Sequence, residues 1–212
     1  MNEELPISPN QAIKAHQWLQ DNFKDDIQNA IKETNYSHEL VSAIFSQETA
    51  QRVLLWVEKY EPDIILQRSI FDASGDFPNT TRNAFPKNAA AFHDKYGDEF
   101  TDMLISEGNK MRRMPQPGNP NGYSDSHYLY KGYGLFQYDL QNVLTDELFF
   151  LHKQWYNFNE CIKRLIQELQ LKARRNTDLW DIVKAYNGAG QNATNYANNV
   201  FKFMDIIKKA TL

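Results

Sequence analysis

A single cysteine, Cys161, in a chain of 212 residues excludes an intrachain disulfide. It stands in Phe158-Asn159-Glu160-Cys161-Ile162, a stretch that reads as helix interior, and no histidine lies close in sequence to activate the thiol. A packed structural cysteine is therefore the expectation. Long apolar runs are also missing. No segment approaches the roughly 20 apolar residues of a membrane-spanning helix. The opening Met1-Asn2-Glu3-Glu4-Leu5-Pro6 is acidic and lacks the apolar core of about 7–15 residues that a secretory signal carries. These absences predict synthesis in a reducing cytoplasm, with delivery by some other route if the protein acts outside the cell. Charge of one sign is nowhere concentrated: 27 acids and 23 bases leave a formal net charge of −4, which argues against an electrostatic nucleic-acid binder. The five histidines, His16, His38, His93, His127 and His152, form neither H-E-x-x-H nor a paired metal spacing, so no metal site is expected. P-loop, dinucleotide and G-x-S-x-G fingerprints are missing too, and no cofactor is implied. The small basic cluster Lys110, Arg112 and Arg113 reads first as solvated surface, with contact to an anionic polymer as the alternative.

Aromatic residues are plentiful, with 13 Phe, 11 Tyr and 4 Trp, enough for a core and for a groove that stacks sugar rings. The length suits one domain with a sizeable core. Residues 9–33 read as a helix capped by Ser8 and opened by Pro9, with Ala12, Ile13, Trp18, Leu19, Phe23, Ile27 and Ile31 at helical spacing. A second helix is expected from Ser37 through Glu48 toward Tyr60, ended by Pro62. Ile64-Ile65-Leu66 and Ile70-Phe71 fit either short strands or a turn of helix, and residues 72–81 supply turn formers. Residues 89–111 carry a helical period, and the loop 115–122 is stiffened by three prolines. From Leu140 to Lys209 the pattern is almost entirely helical, including a stripe of Leu148, Leu151, Trp155, Phe158, Ile162, Leu165, Ile166 and Leu169 expected to pack in the core.

Glu48, in Ile-Phe-Ser-Gln-Glu-Thr-Ala (44–50), is the residue that stands out. With about 3.6 residues per turn it falls in line with Val41, Ile44 and Phe45, an acid where a hydrophobe is expected. Desolvation there would raise its pKa toward the range where a carboxyl holds and donates a proton near neutrality. A glutamate at the edge of the helix surface is the competing reading.

Three segments in order carry a resemblance: Glu48 in Ser-Gln-Glu-Thr-Ala, then Gly132-Tyr133-Gly134-Leu135-Phe136-Gln137, then Ala185-Tyr186-Asn187-Gly188-Ala189-Gly190. Together they resemble the E-S-G-like helix end, the G-x-G-L-[MF]-Q turn and the Y-N-[AG]-G-like element of lysozyme-superfamily muramidases and lytic transglycosylases. Ile65-Leu66-Gln67-Arg68-Ser69-Ile70-Phe71 is similar to the I-L-F-E-R-H-x-F segment of phage-type N-acetylmuramidases with one position missing, and Asn195-Tyr196 after Tyr186-Asn187-Gly188 is similar to their ending. Gln67 stands where that branch has an acid, so its second carboxylate does not carry over. The stretch from 72 to 130 is largely unmatched.

The resemblance implies an α+β, predominantly α-helical, lysozyme-like fold with an insertion between the catalytic helix and the Gly132–Gln137 turn. As one domain over 1–212, it would comprise an N-terminal bracing helix (1–36), a loop-rich lobe (63–130) and a helical C-terminal part (131–212), with the groove between the Glu48 region and the 132–139 turn. It further implies cleavage of the β-1,4 link between N-acetylmuramic acid and N-acetylglucosamine in peptidoglycan, with Glu48 as general acid. A retaining enzyme sets its second carboxylate about 5–5.5 Å away and an inverting one about 6.5–9.5 Å. Asp139 is the first candidate, because goose-type lysozymes carry an acid at the matching place; Asp72 and Asp76 follow, and each also suits a turn or helix cap. A transglycosylase needs no second carboxylate. Tyr186 matches the hydroxyl that bonds near the acid in transglycosylases, or a core tyrosine. Tyr133, Gly134, Gln137 and Asn187 are candidate substrate contacts; a structural turn, a solvent-facing amide and a helix cap are their alternatives. Two other functions stay open: a same-fold glycosidase acting on chitin or chitosan, and a non-catalytic glycan-binding protein. A wall-degrading role implies release by phage lysis or specialised secretion, action at the wall or periplasm, and in the second case a proteinaceous inhibitor in the producing cell.

Overall fold

Ser8 and Pro9 open the first helix as their types dictate. In the computed structural model, which describes residues 5–211, the Ser8 hydroxyl accepts from the Gln11 backbone N–H while the Gln11 amide returns a bond to the Ser8 N–H. The helix α1 (Pro9–Ile31) follows, interrupted only at Phe23. α2 (His38–Glu48) is capped by the Ser37 side chain, and Thr49 leaves helical geometry at φ −134° before the short α3 (Ala50–Val53). The continuous helix expected from Ser37 toward Tyr60 is thus broken just after Glu48. Pro62, expected to end a helix, instead begins α4 (Pro62–Arg68), where its fixed φ and missing N–H suit the first helical position. Ile64-Ile65-Leu66 are accordingly helical, and β1 is Ile70–Phe71. α5 (Ala89–Arg112) is interrupted at Gly97, φ 78°. The strands β2 (Gly132–Tyr133) and β3 (Tyr138–Asp139) complete an antiparallel sheet in the order β1-β2-β3, with Ile70 opposite Tyr133 and Gly132 opposite Asp139. α6 (Glu147–Leu151), α7 (Phe158–Ala173), α8 (Leu179–Asn187) and α9 (Gly190–Thr211) follow. The protein is predominantly helical with one small sheet, and among the described residues no helix is long and apolar enough to cross a membrane.

The packing divides the chain into two units: residues up to Leu54 with those from Ile162 onward, and Leu55–Cys161. The first unit is built around α2, whose residues Leu40 to Ser46 are all buried because α1 and α9 pack against it. Full burial of each large apolar side chain stabilises by about 1.5–3 kcal/mol. Trp18 of α1 stacks on Phe45 of α2 at 5.7 Å, and the His16 ring bonds the Ser42 hydroxyl at 2.8 Å in the buried seam.

The second unit holds the sheet and an aromatic core. Tyr133 meets Trp155 edge-on at 4.8 Å and Phe150 at 5.2 Å, and Tyr138 stacks on Phe150 at 5.8 Å. Cys161 is buried, its thiol directed at the Trp155 carbonyl. The expected core stripe of 148–169 is split: Trp155, Phe158, Ile162, Leu165, Ile166 and Leu169 are buried, but Leu148 and Leu151 are exposed. Lys153 takes φ 52°, in the left-handed region, and so changes the phase of the helical pattern between Leu151 and Trp155.

Candidate functional site

Glu48 is the last residue of the buried helix α2. The C-terminal end of a helix carries negative partial charge, which disfavours a carboxylate there. Protein surrounds the carboxyl, although the residue keeps a limited solvent-exposed fraction, and burial raises its pKa from 4.5 to about 7. One interaction opposes that rise: the Tyr196 hydroxyl donates to Glu48 Oε1 at 2.7 Å and favours the ionised form. Tyr196 is brought there by α9, on the face that also buries Ala193, Val200 and Phe203. Tyr186, near the end of α8, lies beside it with ring centroids 6.2 Å apart. Burial, with the negative charge of Glu48, holds both phenols protonated well above the usual tyrosine range, so each acts as a hydroxyl throughout neutral pH. The hydroxyl that bonds the acid is that of Tyr196, the tyrosine of the Asn195-Tyr196 ending. Asn187 is exposed at the end of α8, followed by Gly188 at φ 119°. A cavity of about 400 Å3 in the same unit, lined by Tyr36, Gln170, Asn176 and Leu179 among others, does not include Glu48.

The remaining sequence candidates lie in the second unit. Gly134 adopts φ 75° between β2 and β3, and a Cβ there would stand 2.6 Å from Cys161 Sγ. The Gln137 amide donates to the Gly134 carbonyl at 2.8 Å and folds back over Gly132, so it closes the turn it belongs to. Tyr133 is only 1% exposed and its ring belongs to the aromatic core, which leaves it no surface for a substrate.

The three aspartates are built into the fold in different degrees. Asp76 accepts from the N–H groups of Ala89 and Leu129 and from the wholly buried Lys131 ammonium at 2.7 Å, so it is a structural node. Asp139 accepts from the Gln141 N–H at 2.7 Å and from Arg82 Nη2 at 2.6 Å. The same guanidinium reaches Asp72 at 3.8 Å, and Asp72, at φ 62°, remains about half exposed. Arg82 thus gathers Asp72 and Asp139.

Sequence reading missed a second buried acid, Glu107 of α5. It is 1% exposed and bonds Lys110 and Lys153 at 2.8 Å and the Tyr156 hydroxyl at 2.6 Å, with Arg68 at 3.5 Å. These cations hold its carboxyl below the usual glutamate range despite its burial. It is an ion-paired acid, opposite in character to Glu48. The two acids are not distinguished by their helical setting in sequence; what separates them is the cations directed at one of them, Arg68 of α4, Lys110 of α5 and Lys153. Among the described residues no group of three or more His, Cys, Asp or Glu side chains is placed to hold a metal ion. No family model, curated protein or solved structure matches the chain.

Proposed function

We propose that this protein is a lysozyme-like enzyme that cleaves the β-1,4 link between N-acetylmuramic acid and N-acetylglucosamine in peptidoglycan, with Glu48 as general acid. The observation that carries the reading is a carboxyl at the end of a buried helix, on a residue that is not wholly buried, bonded to one tyrosine hydroxyl, with burial raising its pKa to about 7. Glycosidic cleavage needs a proton on the leaving oxygen as positive charge develops on the sugar ring, so the donor must be protonated at working pH. Tyr196 occupies Oε1, and the proton is given from Oε2. Once the proton has left, the same tyrosine bond stabilises the carboxylate that remains. The three motifs that resemble lysozyme-superfamily enzymes supply the substrate class.

The partner that completes the reaction is a carboxylate, a water or the substrate's own acetamido or hydroxyl group. Mass spectrometry of the products separates the routes: a 1,6-anhydro end marks a transglycosylase and a reducing end a hydrolase. The primary test is release of muropeptides from purified sacculi. Glu48→Gln should lower the rate by about 10²–10⁴-fold, the usual contribution of a positioned general acid. Undiminished release by that variant removes the proposal. Cleavage of chitin oligomers in preference to sacculi would instead favour a same-fold glycosidase of a different glycan.

A further inference from the structure

Two aromatic side chains in the second unit are held outward by loops that have little freedom to do otherwise. Phe77 is 53% exposed and Tyr123 is 48% exposed. The Phe77 N–H donates to the Ala73 carbonyl at 2.9 Å, and the Phe77 carbonyl accepts from the Thr80 hydroxyl, which in turn accepts from the Gly75 N–H. Gly75, at φ 89°, packs so closely that a Cβ would stand 1.8 Å from the Lys87 carbonyl oxygen. On the other loop, the Tyr123 N–H donates to the Arg112 carbonyl at 2.7 Å, and Gly122, at φ 70°, has no room for a Cβ beside Arg113. Exposed rings on such constrained backbone forgo burial without being loose, which is how a preformed binding surface is built.

Between these rings lie Arg112 and Tyr128. The Arg112 guanidinium is 5.5 Å from the Tyr123 ring centroid and 5.2 Å from that of Tyr128, and Tyr128 meets Phe77 edge-on at 5.8 Å. Arg112 uses Nε on the Ser124 carbonyl and Nη1 on the Tyr130 hydroxyl, and among the described residues no carboxylate pairs with it. Its neighbour Arg113 is neutralised by Asp125 at 2.7 Å. The result is a cluster of three rings around one guanidinium, which lies over Tyr123 and Tyr128 and has no carboxylate partner among the described residues, with Phe77 and Tyr123 about half exposed.

We propose that Phe77, Tyr128, Tyr123 and Arg112 form a stacking platform for an amino-sugar strand that carries carboxylates. The C–H face of a pyranose is apolar and weakly positive, and it lies against the negative face of an aromatic ring. The unused donors of Arg112 present a fork to a carboxylate. An N-acetylmuramic acid unit has such a carboxylate on its lactyl group or its peptide, and a chitin unit has none. The substrate class rests on the proposed function; the platform itself rests on these four residues. Single-stranded nucleic acid also stacks on aromatic and arginine side chains, but it needs a basic track for successive phosphates. Here one cation is unpaired and the whole chain is acidic.

The test is equilibrium binding by the full chain carrying Glu48→Gln, so that cleavage does not consume the ligand. The probes are soluble muropeptide-free glycan fragments bearing lactyl carboxylates, chito-oligosaccharides of the same length, and an oligothymidylate. The acidic fragments should bind best. Phe77→Ser and Tyr123→Ser, each a change at a half-exposed position, should each weaken them at least fivefold with the melting curve unchanged. Arg112→Lys, which keeps the charge and loses the fork, should reduce the preference over chito-oligosaccharide while leaving chito-oligosaccharide binding unaltered. Equal binding by both serine variants, no preference for acidic fragments, or tighter binding of oligothymidylate overturns the platform. Dependence of binding on Phe77 and Tyr123 in a protein whose native form cleaves nothing would uphold the platform and defeat the enzymatic reading, so the two failures are distinguishable.

Discussion

Two opposed influences meet at Glu48, and their balance sets its chemistry. Burial raises the carboxyl and the Tyr196 hydroxyl lowers it, leaving it at about 7. For a general acid, kcat/KM is constant while the group is protonated and falls as pH rises through that value. Tyr196→Phe removes a bond made mainly to the ionised form, so the alkaline limb should move to higher pH, by about one unit or less for a single hydrogen bond. A pH-rate profile on sacculi measures this directly, and a limb that stays in place or moves down contradicts the assigned role. The acid could be read from sequence because a carboxylate on the apolar side of a helix is conspicuous. Tyr196 could not, since it lies 148 residues away and its spacing is that of any core residue of α9.

At the scale of the element, the turn from β2 to β3 shows how a short motif divides between structure and surface. Gly134 is required twice over: its φ of 75° suits glycine, and Cys161 fills the space where a side chain would go. Gly134→Ala should destabilise the protein by about 1–3 kcal/mol in denaturant titration. Adding Cys161→Ala should recover only part of that loss, because it removes the close contact and leaves the backbone strain. Complete recovery would show that φ at this position is not limiting. The turn was legible from its glycines, but the use of the Gln137 amide to close it depends on a three-dimensional path that spacing does not record. The same holds for the 148–169 stripe. A 3.6-residue period detects apolar positions on one face, but it cannot register that Lys153 enters the left-handed region and leaves Leu148 and Leu151 outside.

For the whole molecule, titration links the site to stability. The Glu48 pKa is higher in the folded protein than in the unfolded chain, so its contribution is complete below about 4.5 and is lost as pH rises through about 7. His16 and His38 behave oppositely: burial lowers both below 6.5, so their contributions are complete above that value and are lost as pH falls through the lowered ones. Melting temperature should therefore decline on both the acid and the alkaline side. Glu48→Gln should remove the alkaline decline, with a gain of about 1–3 kcal/mol over the wild type above pH 7. Parallel curves for the two proteins would mean that Glu48 is not desolvated in solution. The helical class and the starts of α1 and α2 were legible because Ser8, Pro9 and Ser37 act locally; the start of α4 was not, because a proline that opens one helix can equally close another. The division into units was not, because the first is assembled from both ends of the chain.

That assembly imposes an order in time. A ribosome makes Glu48 long before Tyr196, and in the unfolded chain a glutamate is a hydrated side chain, ionised at neutral pH. A chain released before α9 is made would carry the Glu48 carboxyl without the tyrosine that bonds it, so the environment of this one group depends on a helix read much later in translation.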